Sequence, residues 1–181
     1  MKELSLHILD IVQNSLRADA KCIYISILYD LSGDLVEITI KDDGCGMTPE
    51  FLSAVTDPFV TTRTTRKIGM GIPLFKMAAK QAGGTFHINS APGQGTEIQA
   101  TFIRSHIDTP PLGDMAETIV TLVQGAPDVE FIYSYNKDLQ KFNFDTRKIR
   151  AILEDIPLNE PEVLSWIKSK FRETEALVVD E

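Results

Sequence analysis

Three side chains in one stretch carry groups that can act together: the carboxylate of Asp10, the amide of Asn14 and the guanidinium of Arg17. Their spacing of four and then three residues brings them onto one helical face, in a stripe that runs back through His7 to Glu3. An amide oxygen can fill one octahedral position on Mg²⁺, a guanidinium can neutralise phosphate oxygens, and a carboxylate can orient water. The stripe also has a plain reading, because most amphipathic helices show such a face to solvent. Three glycine segments add to it: DDGCG at 42–46, GMG at 69–71 and GQGTE at 93–97. Gly44 and Gly46 let the chain turn tightly beside a ligand, although ordinary strand-end turns use the same residue types. Gly69 and Gly71 put bare backbone beside the free amides of a helix that has Pro73 in its first turn, which suits an anion. Leu74 stands where a dinucleotide fingerprint needs its third glycine, and no Gly-Lys-Ser/Thr follows, so this is neither a Rossmann turn nor a P-loop. Read alone, GQGTE is a hairpin turn.

The elements that must position these groups follow from periodicity. A helix is predicted over 3–18, with Leu4, Ile8, Leu9, Val12 and Leu16 on its apolar side. Strands follow at 22–30 and 35–43 as a hairpin, then a short helix at 49–55 opened by Thr48-Pro49-Glu50. Residues 56–68 form a Thr- and Arg-rich loop. A helix over 70–82 stops at Gly83-Gly84, with Met70, Leu74, Phe75, Met77 and Ala78 expected in the core. Strands at 85–90 and 96–103 close a first unit, residues 1–104. The Pro-bearing stretch 105–113 reads as a linker, and 114–181 as a small α+β C-terminal region. That region contains a helix at 114–124, strands near 129–135 and 140–144, and helices near 145–154 and 160–174. Val163, Trp166, Ile167 and Phe171 form a stripe expected to face the core.

Composition narrows the classes. The 181 residues are 43% hydrophobic and 24% charged, enough chain to bury about two thirds of its unfolded surface. A formal net charge of −8 argues against non-specific binding to nucleic acid or anionic lipid, so any phosphate must be bound locally. Cys22 and Cys45 have no disulfide or zinc spacing and read as reduced thiols, and His87 and His106 have no metal-ligand spacing. With no apolar run of membrane-spanning length and no signal-peptide pattern, a cytoplasmic location is expected.

In chain order, Asp10 and Asn14, DDGCGM, DPF at 57–59, GMGIPLFKMAAKQAGG and APGQGTE resemble the boxes of the GHKL superfamily. This superfamily comprises the ATP-binding domains of histidine kinases, anti-sigma-factor kinases, DNA gyrase B, mismatch-repair ATPases and large heat-shock chaperones. The resemblance covers about residues 3–103. It implies a Bergerat-type α+β fold, a two-layer sandwich with a mixed, mainly antiparallel sheet covered by helices on one face, and it implies Mg-ATP as ligand. By this resemblance Asn14 is the Mg²⁺ ligand and Arg17 a phosphate contact. Asp42 accepts the adenine amine, with Gly44 and Gly46 as box glycines and Met47 near the base. Gly69 and Gly71 lie at the phosphates, and Thr96 supports the adenine-reading Asp. Asp57-Pro58-Phe59 resembles the kinase F box, making 59–68 an ATP lid whose Arg63, Arg66 and Lys67 reach the phosphates or stay solvated. Asp10 departs from the family: gyrase-like members carry Glu there as general base, and Asp is one methylene shorter, so hydrolysis by activated water is in question.

The chain opens at the N-box helix, so the dimerisation helices of a sensor kinase are not expected within it. The reading is a stand-alone cytoplasmic regulatory protein kinase resembling the anti-sigma, partner-switching or histidine kinases, active on an unidentified protein acceptor. The alternative is an ATP-driven conformational switch or slow ATPase. The acceptor or regulator is expected to dock on the C-terminal region or the lid.

Overall fold

The computed structural model describes residues 3–56 and 70–179, with side chains described as far as 174. Its elements are α1 (Leu4–Arg17), β1 (Cys22–Asp30), β2 (Leu35–Asp42), α2 (Pro49–Val55), α3 (Gly71–Gln81), β3 (Phe86–Ser90), β4 (Thr96–Ile103), α4 (Met115–Gly125), β5 (Glu130–Lys137), β6 (Gln140–Asp145), α5 (Thr146–Leu153) and α6 (Pro161–Val179).

All six strands join one sheet in the order β3-β4-β2-β1-β5-β6. Every neighbouring pair is antiparallel except β1 with β5. Alternation decides which face is covered. Ile23, Ile25 and Ile27 of β1, Val36, Ile38 and Ile40 of β2, and Ile98, Ala100 and Phe102 of β4 are buried, while Tyr24 and Leu28, at alternate positions of β1, remain exposed. The covered side meets Leu4, Ile8, Ile11 and Val12 of α1, and Phe75 and Ala79 of α3. This is the α+β arrangement implied by the family resemblance. Met70 and Met77, expected in the core, are instead exposed, Met70 at 63%. Helix α3 buries one side only, and both methionines fall on the other.

Residues 105–113 do not simply connect. The amides of Leu4 and Ser5 are among the α1 donors without an intrahelical acceptor, and they donate to the carbonyls of Pro111 (2.9 Å) and Leu112 (2.7 Å). Glu3, the N-cap residue, supplies no side-chain cap, so this segment takes over that task. The strands that follow extend the same sheet: β5 lies parallel to β1 from Cys22↔Glu130 to Tyr29↔Lys137. Helix α4 packs on α1 and α6. On this side of the core Phe171 of α6 gathers Tyr133, Phe142 and Phe144, with ring centroids 5.2, 5.0 and 5.1 Å away. The core is therefore continuous through the segment expected as a linker. Val163, Ile167 and Phe171 are buried as expected, but Trp166 is 49% exposed.

Candidate functional site

The site is built at the C-terminal end of α1. The turn after β2 reaches it through the Cys45 amide, which donates to the Ala18 carbonyl at 2.8 Å. Register places Asp42, the last residue of β2, opposite Thr96, the first of β4. Asp42 is only 7% exposed. Its Oδ2 accepts from the Ser15 hydroxyl at 2.6 Å, and its Oδ1 accepts from the amides of Gly44 (2.9 Å) and Thr96 (3.2 Å). Three donors make a buried carboxylate tolerable and fix its direction. Asp43, its neighbour, does something else: its Oδ1 accepts from the amides of Lys21 and Cys22 and ties the start of β1.

Glycine is required here by contact. Gly46 has φ +67 and Gly95 φ +76, and a Cβ would land on the Ala91 carbonyl from the first and on the Asp42 carbonyl from the second. Met47 follows, packed against the core, with its amide donating to Ser90 Oγ at 2.9 Å. Ser90 Oγ donates to the Gly95 carbonyl (2.8 Å) and lies 2.9 Å from Thr96 Oγ1. Thr96 thus supports Asp42 through its backbone amide, while its hydroxyl is spent on Ser90.

The other wall is the meeting of α1 and α3. Asn14 Oδ1 accepts from Arg17 Nη1 at 3.1 Å. A Cβ on Gly71 would come within 3.0 Å of the Asp10 Cβ and 3.7 Å of Asn14 Nδ2. The bare N-terminal turn of α3 thus abuts the two α1 side chains singled out by spacing. The fold brings Asp10, Asn14, Arg17, Asp42, Gly44, Gly46, Met47, Gly71 and Thr96 to one end of the sheet. Lys67 and Gly69, with Arg63, Arg66 and the 57–59 box, lie outside the described residues.

Three residues correct or extend what the sequence suggests. His7 does not share the polar face: it is 2% exposed and stacked on Phe75 with ring centroids 5.4 Å apart. Neither ring nitrogen has a hydrogen-bond partner among the described residues. Burial pushes its pKa from 6.5 down to about 4. Ser15 and Ser90 went unread, because a small hydroxyl belongs to neither an apolar nor a charged periodicity. Only the Ser90↔Thr96 register, available once the hairpin is paired, could have pointed to the second.

Residues 2–106 match the family described as histidine kinase-, DNA gyrase B-, and HSP90-like ATPase, and the chain belongs to that family. Among similar proteins, the non-motile and phage-resistance protein of Caulobacter vibrioides is 27% identical over 114 residues, which cover 60% of this chain and 14% of that protein. A probable C4-dicarboxylate sensor kinase of Bacillus subtilis is 32% identical over 78 residues, 43% of this chain and 15% of that protein. The chain thus spans about a seventh of the length of each of these relatives. The Aquifex aeolicus MutL ATPase domain complexed with ADP shares the fold, with a TM-score of 0.54 over 85% of this chain and 70% of that domain, at 13% identity. Among the described residues no helix is long and apolar enough to cross a membrane.

Proposed function

We propose that the chain binds Mg-ATP in the cleft between the C-terminal half of α1, the β2–α2 turn and the N-terminus of α3, and uses it as a regulatory protein kinase. The observation that carries this reading is Asp42: a buried carboxylate whose orientation is fixed by Ser15, Gly44 and Thr96, on the same end of the sheet as Asn14, Arg17 and Gly71. In this reading Asp42 accepts the exocyclic amine of adenine, and guanine, which presents a carbonyl there, leaves the carboxylate unpaired. Gly44, Gly46 and Gly95 let the turns beside Asp42 close on the backbone of Ala18, Ala91 and Asp42, and Met47 flanks the base.

The donor set fits the metal. Asn14 Oδ1 is a hard oxygen that already accepts from a cation, and Gly71 leaves room beside it that a Cβ would fill. Bound there with the triphosphate, Mg²⁺ would neutralise charge on the phosphate oxygens. Arg17 turns from Asn14 to the phosphates, and the free amides of α3 face them. Lys67 and Gly69 would complete the phosphate contacts. Asp10 orients the attacking group, a protein hydroxyl or imidazole for a kinase or water for a slow ATPase. The names of the relatives, a sensor kinase among them, favour transfer to a protein.

Calorimetry with ATP and GTP, with and without Mg²⁺, tests the binding. ATP is expected to bind at least about tenfold more tightly than GTP, and Asn14→Ala to lose the Mg²⁺ dependence with the fold intact. Equal affinity for the two nucleotides removes Asp42 from the site. Incubation with γ-labelled ATP and a lysate of the source organism separates the activities. A discrete labelled protein supports transfer, free phosphate supports hydrolysis, and binding without either supports a switch.

A further inference from the structure

The surface around α5 and the start of α6 carries an apolar groove of about 940 Å³, well away in sequence from the nucleotide residues. Glu154, with φ 54, ends α5 and sends the chain back through Ile156 and Pro157 to Pro161, where α6 begins. Ile149, Ile152 and Leu153 form one side, and Val163 and Trp166 the other. Ile152 is 81% exposed, Ile156 51% and Trp166 49%, an apolar cluster on a surface where large exposed side chains otherwise mark binding sites.

The rim is charged with one sign. Asp155, Glu160 and Glu162 line the groove and, among the described residues, no Lys or Arg does. None of the three takes part in an ion pair among the described residues. Glu160 and Glu162 also favour the N-terminus of α6, but Asp155 has no such local reason. We propose that this groove docks a basic amphipathic helix of a partner protein, its apolar anchors seated between Ile152 and Trp166 and its Lys or Arg residues meeting the acidic rim. Helix-in-groove recognition uses such anchors one and two turns apart, and a cation passing over Trp166 gains from its ring face. A second copy suits the rim poorly, because this chain carries a net charge of −8.

Trp166 is the one tryptophan in the sequence, so its emission reports the groove directly. The full chain is titrated with two synthetic amphipathic peptides of about 14 residues, one of Leu and Lys and the other of Leu and Glu, followed by Trp166 fluorescence. The Leu/Lys peptide is expected to shift the emission to shorter wavelength in a saturable way that weakens with salt; the Leu/Glu peptide is expected to leave it unchanged. Ile152→Asp, at an exposed position, should weaken binding about tenfold or more, and Ile156→Ser serves as a second variant. Asp155→Lys with Glu162→Lys should reverse the preference between the peptides. No response to either peptide overturns the proposal, as does an equal response to both. An emission shift that tracks protein concentration without peptide also overturns it, in favour of self-association. None of these readouts depends on nucleotide.

Discussion

His7 gives a pH dependence whose sign and size both follow from its burial. The neutral ring is buried and stacked on Phe75, with both nitrogens lacking partners among the described residues, and its pKa falls from 6.5 to about 4. Well above pH 6.5 the ring is neutral in the folded and the unfolded chain, and it contributes no pH dependence. Between 6.5 and about 4 the unfolded chain takes up a proton that the folded chain refuses, so stability falls as pH falls. At roughly 1.4 kcal/mol per pH unit, the loss across that window is about 3 kcal/mol. For a chain of this size that corresponds to a fall in Tm of roughly 6 to 12 °C.

Other carboxylates titrate in the same range, so the effect is isolated by difference. His7→Leu keeps similar volume and removes the titrating ring. At pH 8 the variant should be as stable as the parent or slightly more, because relief of two unpaired nitrogens, about 1–3 kcal/mol, offsets a lost ring stack of about 1 kcal/mol. From pH 6.5 to 4 the parent should then lose about 3 kcal/mol more than the variant in urea denaturation, and its His7 ring should titrate near pH 4 by NMR. Parallel stability curves for the two proteins would refute the reasoning. The packing at stake is that of α3 on α1, which also sets Gly71 against Asp10 and Asn14, so ATP affinity should decline over the same window.

Further substitutions test the frame of the site. Gly95→Ala should cost more than about 3 kcal/mol, because its Cβ meets the Asp42 carbonyl at φ +76, whereas Gly93→Ala, at φ +73 with nothing near, should cost about 1 kcal/mol; similar melting temperatures for the pair would contradict the contact. Ser15→Ala removes the hydroxyl on Asp42 Oδ2 and should cost about 1.5–3 kcal/mol in denaturant while weakening ATP relative to GTP, and an unchanged nucleotide ratio would separate Ser15 from adenine recognition. Thr146→Val, of nearly equal volume, takes away a buried hydroxyl that donates to Glu130 Oε2 at 2.6 Å and accepts from the Phe131 amide at 2.8 Å; a loss of about 2–3 kcal/mol is expected, and a neutral result would show the network to be dispensable.

Much of the local structure was legible in the sequence because its signals are local. Thr48-Pro49 opens α2, with Thr48 Oγ1 accepting from the Phe51 amide, and the predicted hairpin of residues 22–30 and 35–43 pairs as β1 and β2. The α1 spacing places Asp10 and Asn14 side by side, and both lie against Gly71, whereas His7, expected on the same polar stripe, is buried. Periodicity fixes which residues share a helical face; it does not say whether solvent or another helix covers that face. Here α3 covers part of it, and the histidine, polar by type, stacks on Phe75. The exposed Met70, which caps α3, and Met77 within it are the converse case, apolar by type and left outside because one side of the helix suffices to fill the core.

What the sequence hid is the pairing between distant segments. Asp42 was singled out as one acidic residue at a strand end, yet its environment comes from three places: Ser15 of α1, Gly44 of its own turn and Thr96 of β4. Register supplies the last of these, and register follows from two strands agreeing on which face to bury. The same logic joins the C-terminal region to the first unit. Alternation in β5 buries Phe131, Tyr133 and Tyr135 on the side where β1 buries Ile23, Ile25 and Ile27, and the pairing lies across more than 100 residues, with Ser134 Oγ donating to Ser26 Oγ at 3.0 Å on the open face. A proline-bearing stretch between two such strands looks like a boundary when read in one dimension. In the folded chain its carbonyls cap α1, the helix that carries Asp10, Asn14 and Arg17, so the segment that seemed to separate two units is tied to the helix that positions the site.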